Sequence, residues 1–147
     1  MWGKMEKLSA SLEDYLEIIY NGIKSNNAVR AVDIAKELNV SRASVSEALN
    51  KLSAKGLINY GRYQTITITD MGSKVAQEVA NRHSSLSSFF SDVLGASQDI
   101  AEENACRIEH IISSDLLQRI EAFGEFARKN PQYADEFEQF YRECVEK

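Results

Sequence analysis

The chain has 147 residues, 44% of them apolar and 27% charged, with a net charge of −5, enough for one compact core or for two small domains sharing a boundary helix. The longest apolar runs, such as Ile18-Ile19-Tyr20, fall far short of the roughly 20 residues a membrane-spanning helix needs, and no charged-then-apolar leader opens the chain. A cytoplasmic protein with no membrane partner is expected, and its two cysteines, Cys106 and Cys144, are too few for a disulfide framework.

The charge is unevenly divided. Residues 1–75 hold ten Lys and Arg against eight Asp and Glu, a net of +2, whereas residues 76–147 hold seven against fourteen, a net of −7. Within 41–64, Arg42, Lys51, Lys55 and Arg62 are opposed only by Glu47, a local positive excess of the kind a phosphate backbone attracts. The acidic half suits cations instead.

In chain order, Leu12, Tyr15, Leu16, Ile19 and Ile23 recur at three- and four-residue spacing and predict an amphipathic helix over about 9–25, capped by Ser9 or Ser11. A short helix over 33–38 follows, Asn39-Val40 turns the chain, and Ser41 caps a third helix with Val45, Ala48, Leu49 and Leu52 pointing inward. Gly56 stops that helix, since glycine adopts a left-handed conformation freely. Residues 57–60 and 65–69 read as two strands of a hairpin joined by Gly61-Arg62-Tyr63-Gln64. One long helix is expected from Asp70 to Leu94, ended by Gly95, and further helices over about 97–112, 114–128 and 131–145.

Helix, short turn, helix and hairpin is the order of a winged helix-turn-helix, whose second helix enters the major groove of DNA. With Val45, Leu49 and Leu52 inward, the opposite face of the third helix presents Arg42, Ala43, Ser44, Ser46, Glu47, Asn50 and Lys51. Small residues there permit close approach. Arg42 is suited to pair with guanine or phosphate, the hydroxyls of Ser41, Ser44 and Ser46 to bond either, and Arg62 and Tyr63 at the hairpin tip to hold the sugar-phosphate backbone. Glu47 fits only if it accepts from a cytosine amino group or pairs with a neighbouring cation. The competing reading is a helix-turn-helix used as a protein–protein module.

The stretch from Glu102 to His110 carries the sharpest chemistry. Glu102, Cys106, Glu109 and His110, at i, i+4, i+7 and i+8, line the helix face beside the apolar stripe of Ala101, Ala105, Ile108 and Ile112. Thiolate, carboxylate and imidazole suit Fe, Mn, Co, Ni or Zn better than Ca or Mg. His83 lies in the preceding long helix, and Asp14 and Glu17 are one turn apart on the first. Taken singly, each is more often a packed or solvated residue than a ligand; spacing alone leaves both readings open.

The segments Leu12-Glu13-Asp14-Tyr15-Leu16-Glu17-Ile18-Ile19-Tyr20, Val40-Ser41-Arg42-Ala43-Ser44-Val45-Ser46, Arg82-His83 and Ala105-Cys106-Arg107-Ile108-Glu109-His110 together resemble, in order and spacing, the diphtheria toxin repressor and manganese-dependent repressor family of metalloregulators, over about residues 9–125. The resemblance implies a mostly α protein: an N-terminal winged helix-turn-helix with a two-stranded β wing over 1–72, then an all-α metal-binding and dimerisation domain over 73–147. It implies a homodimer that binds double-stranded operator DNA and represses metal-uptake genes when metal is plentiful.

By the same resemblance, Asp14 and Glu17 match first-helix ligands of the manganese branch, and His83, Glu109 and His110 match ligands of both branches. Cys106 resembles the iron branch, where the manganese branch has Glu, whereas Asp14 replaces the iron branch's Met. Ser87 and Glu102 stand where the iron branch has an ancillary Glu and His. The sequence is a hybrid, so Fe(II) and Mn(II) rank equally, with Zn, Co, Ni or Cd as surrogates. The rival is a winged-helix regulator that senses no metal, with Cys106 as a redox-sensing or structural thiol. A metalloenzyme is disfavoured, because no general base stands apart from the ligands and no small-molecule substrate loop is evident.

Overall fold

The structure, a computed structural model, describes residues 7–61 and 65–145. They form seven α-helices and one antiparallel hairpin: α1 (Ala10–Lys24), α2 (Ala31–Leu38), α3 (Arg42–Ala54), β1 (Ile58–Tyr60), β2 (Ile66–Ile68), α4 (Asp70–Ser88), α5 (Gln98–Ile108), α6 (Ser114–Lys129) and α7 (Gln132–Val145). The fold is the expected winged helix-turn-helix followed by an all-helical region. Two compact units divide inside α4, between Val79 and Ala80.

Serine opens most of these helices. The Oγ atoms of Ser9, Ser41, Ser97 and Ser113 accept from the backbone N–H three residues on, at 3.3, 3.1, 3.5 and 3.3 Å, satisfying donors a helix start leaves without partners. α2 closes on Asn39 in the left-handed conformation (φ 52°), and α3 is followed by Gly56 at φ 72°. That turn sends the chain back into β1.

The N-terminal unit is built on the inward residues of all these elements. Leu16 and Ile19 of α1, Ile34 of α2, Val45, Leu49 and Leu52 of α3, Ile58 and Ile66 of the wing, and Ala76 of α4 form one buried cluster. Each fully buried aliphatic side chain contributes about 1.5–3 kcal/mol. The wing pairs Ile58 with Ile68, Asn59 with Thr67 and Tyr60 with Ile66. Its isoleucines face the core, while Asn59 donates to Thr67 across the outer face at 3.1 Å. The wing tip, with Arg62 and Tyr63, lies outside the described residues.

Thr69 fastens the wing to α4. Its hydroxyl lies 2.7 Å from the Gly56 carbonyl and 3.1 Å from that of Leu57, and accepts from the Gly72 N–H at 3.0 Å.

In the C-terminal unit, Leu86 of α4, Ala105 of α5 and Ile112 form the buried centre, with Phe90, Ile108, Leu117 and Ile120 packed around it. The single helix expected to reach Leu94 instead ends at Ser88 and continues as one π-helical turn, Phe89–Val93, before Gly95 at φ 70° ends it. The Leu94 N–H reaches the Phe89 carbonyl at 3.2 Å, one residue beyond α-helical reach. α5 likewise ends at Ile108 rather than 112, although Glu109 keeps helical angles and its N–H bonds Ala105. Helical geometry therefore persists through Glu109, and His110 falls in the turn that follows.

Candidate metal centre and nucleic-acid interface

α4 and α5 pack through Leu86 and Ala105, and this contact sets polar residues of the two helices against each other. His83 of α4 meets two carboxylates: Nδ1 lies 2.7 Å from Glu109 Oε2 and Nε2 2.6 Å from Glu102 Oε2. A doubly protonated ring donates to both; a neutral ring donates to one and can accept at the other nitrogen only from a protonated carboxyl. Burial pushes the His83 pKa down, but its contacts with Glu102 and Glu109 outweigh it and hold the imidazole above its ordinary 6.5.

Glu109 is 1% exposed. A carboxylate removed from water costs several kcal/mol unless positive or donating groups face it; His83 faces Oε2, and His110 Nε2 lies 3.4 Å from Oε1. Glu102 is more exposed and held at both oxygens: Oε1 accepts from the Ser87 hydroxyl at 2.6 Å and the Gln98 amide at 2.8 Å, while Oε2 faces His83. The Ser87 hydroxyl first, and His83 next, hold its carboxyl below the usual carboxylate range. Gln98 had no part in the sequence reading, because only the packed helices reveal its reach.

One ligand atom from each of His83, Cys106 and Glu109 lies within 4.8 Å of the others, a grouping that small side-chain movements convert into a shared coordination sphere with bonds of about 2.0–2.3 Å. Imidazole, thiol and a deeply buried carboxylate fit a divalent transition metal in donor chemistry. Of the candidates on the C-terminal unit, the structure thus groups His83, Cys106 and Glu109, places His110 against Glu109, and ties Glu102 to His83. Asp14 and Glu17 lie half-buried on α1.

In the N-terminal unit, Ser41, Arg42, Ala43, Ser44, Ser46, Glu47, Asn50 and Lys51 are all exposed. Glu47 accepts from Lys51 Nζ at 2.7 Å, which holds its pKa down. The awkward carboxylate has a cation one turn away on the same face.

A winged reading head joined to a helical unit with a cluster of soft and hard metal donors defines a metal-responsive transcription regulator. Residues 7–66 match the iron dependent repressor, N-terminal DNA binding domain, and residues 69–138 match the iron dependent repressor, metal binding and dimerisation domain. The chain belongs to this iron-dependent repressor family. It is 37% identical over 119 residues to an uncharacterized HTH-type transcriptional regulator of Methanocaldococcus jannaschii, covering 80% of this chain and 95% of that protein. It is 35% identical over 119 residues to the transcriptional regulator MntR of Escherichia coli O157:H7, covering 81% and 74%.

Among solved structures, a manganese-dependent transcriptional repressor in complex with manganese superposes with a TM-score of 0.71 at 32% identity, over 78% of this chain and 53% of that one. The manganese regulator SloR superposes with a TM-score of 0.67 at 28% identity, over 76% and 52%. The chain spans about half the length of these two structures.

Proposed function

We propose that this protein is a cytoplasmic homodimer that binds double-stranded operator DNA and represses metal-uptake genes when Fe(II) or Mn(II) is bound. The observation that carries the metal assignment is the convergence of His83, Cys106 and Glu109 within 4.8 Å. His110, beside Glu109, joins the donor set, and Asp14 and Glu17 of α1 supply further oxygen donors. A bound dication supplies positive charge that offsets these carboxylates and a fixed point to which their side chains are drawn.

The protein's own residues do the rest. Glu109, enclosed between two imidazoles, offers an oxygen already stripped of water. Cys106 contributes softness and Asp14 and Glu17 hardness, which keeps Fe(II) and Mn(II) equally eligible. Asp14 and Glu17 belong to α1 of the N-terminal unit, and the other proposed donors to the C-terminal unit. An ion that binds the DNA-competent arrangement better shifts the population towards it, by a coupling of about 1–3 kcal/mol. Ser41, Arg42, Ala43, Ser44, Ser46 and Lys51 of the α3 face then meet the major groove, with Arg62 and Tyr63 on the backbone.

The homodimer is supported by the match to a dimerisation domain and by bulky apolar residues on the surface of the C-terminal unit: Ile100, Ile111, Leu116 and Phe140 are 51–76% exposed. Exposed bulky apolar side chains mark an interaction surface where they lie in one contiguous patch.

Metal analysis of the purified protein after anaerobic dialysis against Fe(II) or Mn(II) tests this reading. Wild type should retain the ion, whereas Glu109→Ala and His110→Ala should lose it while keeping their helical circular dichroism. Full retention by both variants, or none by wild type, would contradict it.

A further inference from the structure

We infer that Glu102 is a positioning residue acting through His83: it holds the imidazole with its proton on Nε2, so that Nδ1 is the nitrogen presented to the metal. This rests on the metal reading above. A neutral imidazole has one donor and one acceptor nitrogen, and only the acceptor can ligate. Nδ1 faces Glu109 at 2.7 Å, and Glu109 is grouped with Cys106 as a potential ligand; Nε2 faces Glu102 at 2.6 Å. The nitrogen on the ligand side is therefore Nδ1, and the proton belongs on the Glu102 side. Metal-bound histidines commonly donate their other N–H to a carboxylate, which fixes ring orientation and raises basicity.

Glu102 is built for that task rather than for ligation. Its second oxygen already accepts from Ser87 and Gln98, at 2.6 and 2.8 Å. Ser87 stands four residues after His83 on α4, and Gln98 four residues before Glu102 on α5, so each lies one turn from its neighbour on the same helix face. The result is a clamp across two helices in which both carboxylate oxygens are engaged and Ser87 is itself buried. A carboxylate that orients His83 keeps all three of these contacts, which occupy most of its acceptor capacity.

The test is Co(II) titration of the full chain, followed by visible absorption, for wild type, Glu102→Ala, Glu102→Gln and Ser87→Ala. Glu102→Ala should weaken Co(II) binding about tenfold with the ligand-field bands unmoved, because no ligand is lost. Glu102→Gln should recover most of that loss, since its carbonyl still accepts from Nε2–H, and Ser87→Ala should show a smaller loss in the same direction. Heteronuclear NMR of the Cd(II)-loaded protein should show metal coupling to Nδ1 of His83.

Unchanged affinity in Glu102→Ala overturns the inference, as does coupling through Nε2. A Glu102→Gln variant as weak as Glu102→Ala with shifted bands makes Glu102 a ligand and also overturns it. Wild-type protein that takes up no Co(II) refutes the metal reading itself, a result visible before any variant is made. Should Glu102→Ala fail to fold, the Gln and Ser87→Ala variants and the Nδ1 coupling still decide.

Discussion

His83 Nδ1 and Glu109 Oε2 lie 2.7 Å apart, joining α4 to the end of α5 through a carboxylate almost wholly removed from solvent. The contact has opposite consequences for the metal-free and metal-bound protein. His83 is held above its ordinary 6.5, so its contribution to stability is fully present below that value and is lost as pH rises through the folded pKa. Glu102 is held below 4.5, so its contribution is present above 4.5 and lost as pH falls through its depressed value. The clamp stabilises metal-free protein most between the two. Metal binding must displace a His83 proton, so affinity should rise as pH passes through the raised pKa. Calorimetric titration at about pH 6 and about pH 8 should show tighter binding and less proton release at the higher pH. Affinity that does not change with pH would contradict this.

Cys106 decides metal preference in this account. Its thiol is grouped with His83 and Glu109, and replacing it by a hard oxygen donor should favour Mn(II) over softer ions. Cys106→Glu is expected to shift the Mn(II)-to-Cd(II) affinity ratio about tenfold towards Mn(II), equivalent to ~1.4 kcal/mol. Competition titrations with a metallochromic chelator measure the ratio; an unaltered ratio would remove Cys106 from the donor set.

Glu47 sits on the exposed face of α3 proposed to meet DNA and accepts from Lys51 at 2.7 Å. Glu47→Gln removes a charge that repels phosphate and releases a lysine to bind it. DNA affinity at low salt should rise, and the slope of log K against log salt should steepen by about 1. Fluorescence anisotropy over a salt series reads both. A fall in affinity would mean that Glu47 itself contacts the bases.

Gly72 stands in the first turn of α4 where a Cβ would run into the Leu57 carbonyl and the Ile68 side chain. Backbone on one side leaves no soft neighbour to yield. Gly72→Ala should therefore cost about 1–3 kcal/mol, seen as a lower urea midpoint at unchanged slope. A midpoint equal to wild type would show that the wing and α4 separate more easily than their packing implies.

Much of the fold was legible because it rests on local periodicity. The spacing of Val45, Leu49 and Leu52, the alternation of the second strand, Ser41 as cap and Gly56 as stop each act within a few residues of themselves, and α3 and the wing stand as these features predict. The π-turn at Phe89–Val93 was not legible, since an extra residue in a helical turn leaves composition and apolar spacing nearly unchanged.

At the metal centre, the spacing of Glu102, Cys106, Glu109 and His110 shows on the sequence, but periodicity does not say which α4 residue faces them; His83 is a candidate by residue type and its place on the preceding helix, and the resemblance to the family then matches it to a ligand. The Ser87–Glu102–Gln98 clamp depends on how α4 packs on α5, information that no single helix carries.

Metal binding should control DNA binding by this protein. This control is tested most directly by anaerobic gel-shift titration on a duplex the protein selects from a random-sequence library, with free Fe(II) or Mn(II) set by chelator. Wild-type binding should rise steeply with metal and vanish on chelation, and Glu109→Ala should show neither response. Equal binding by wild type with and without metal, or a full metal response in Glu109→Ala, would contradict the account.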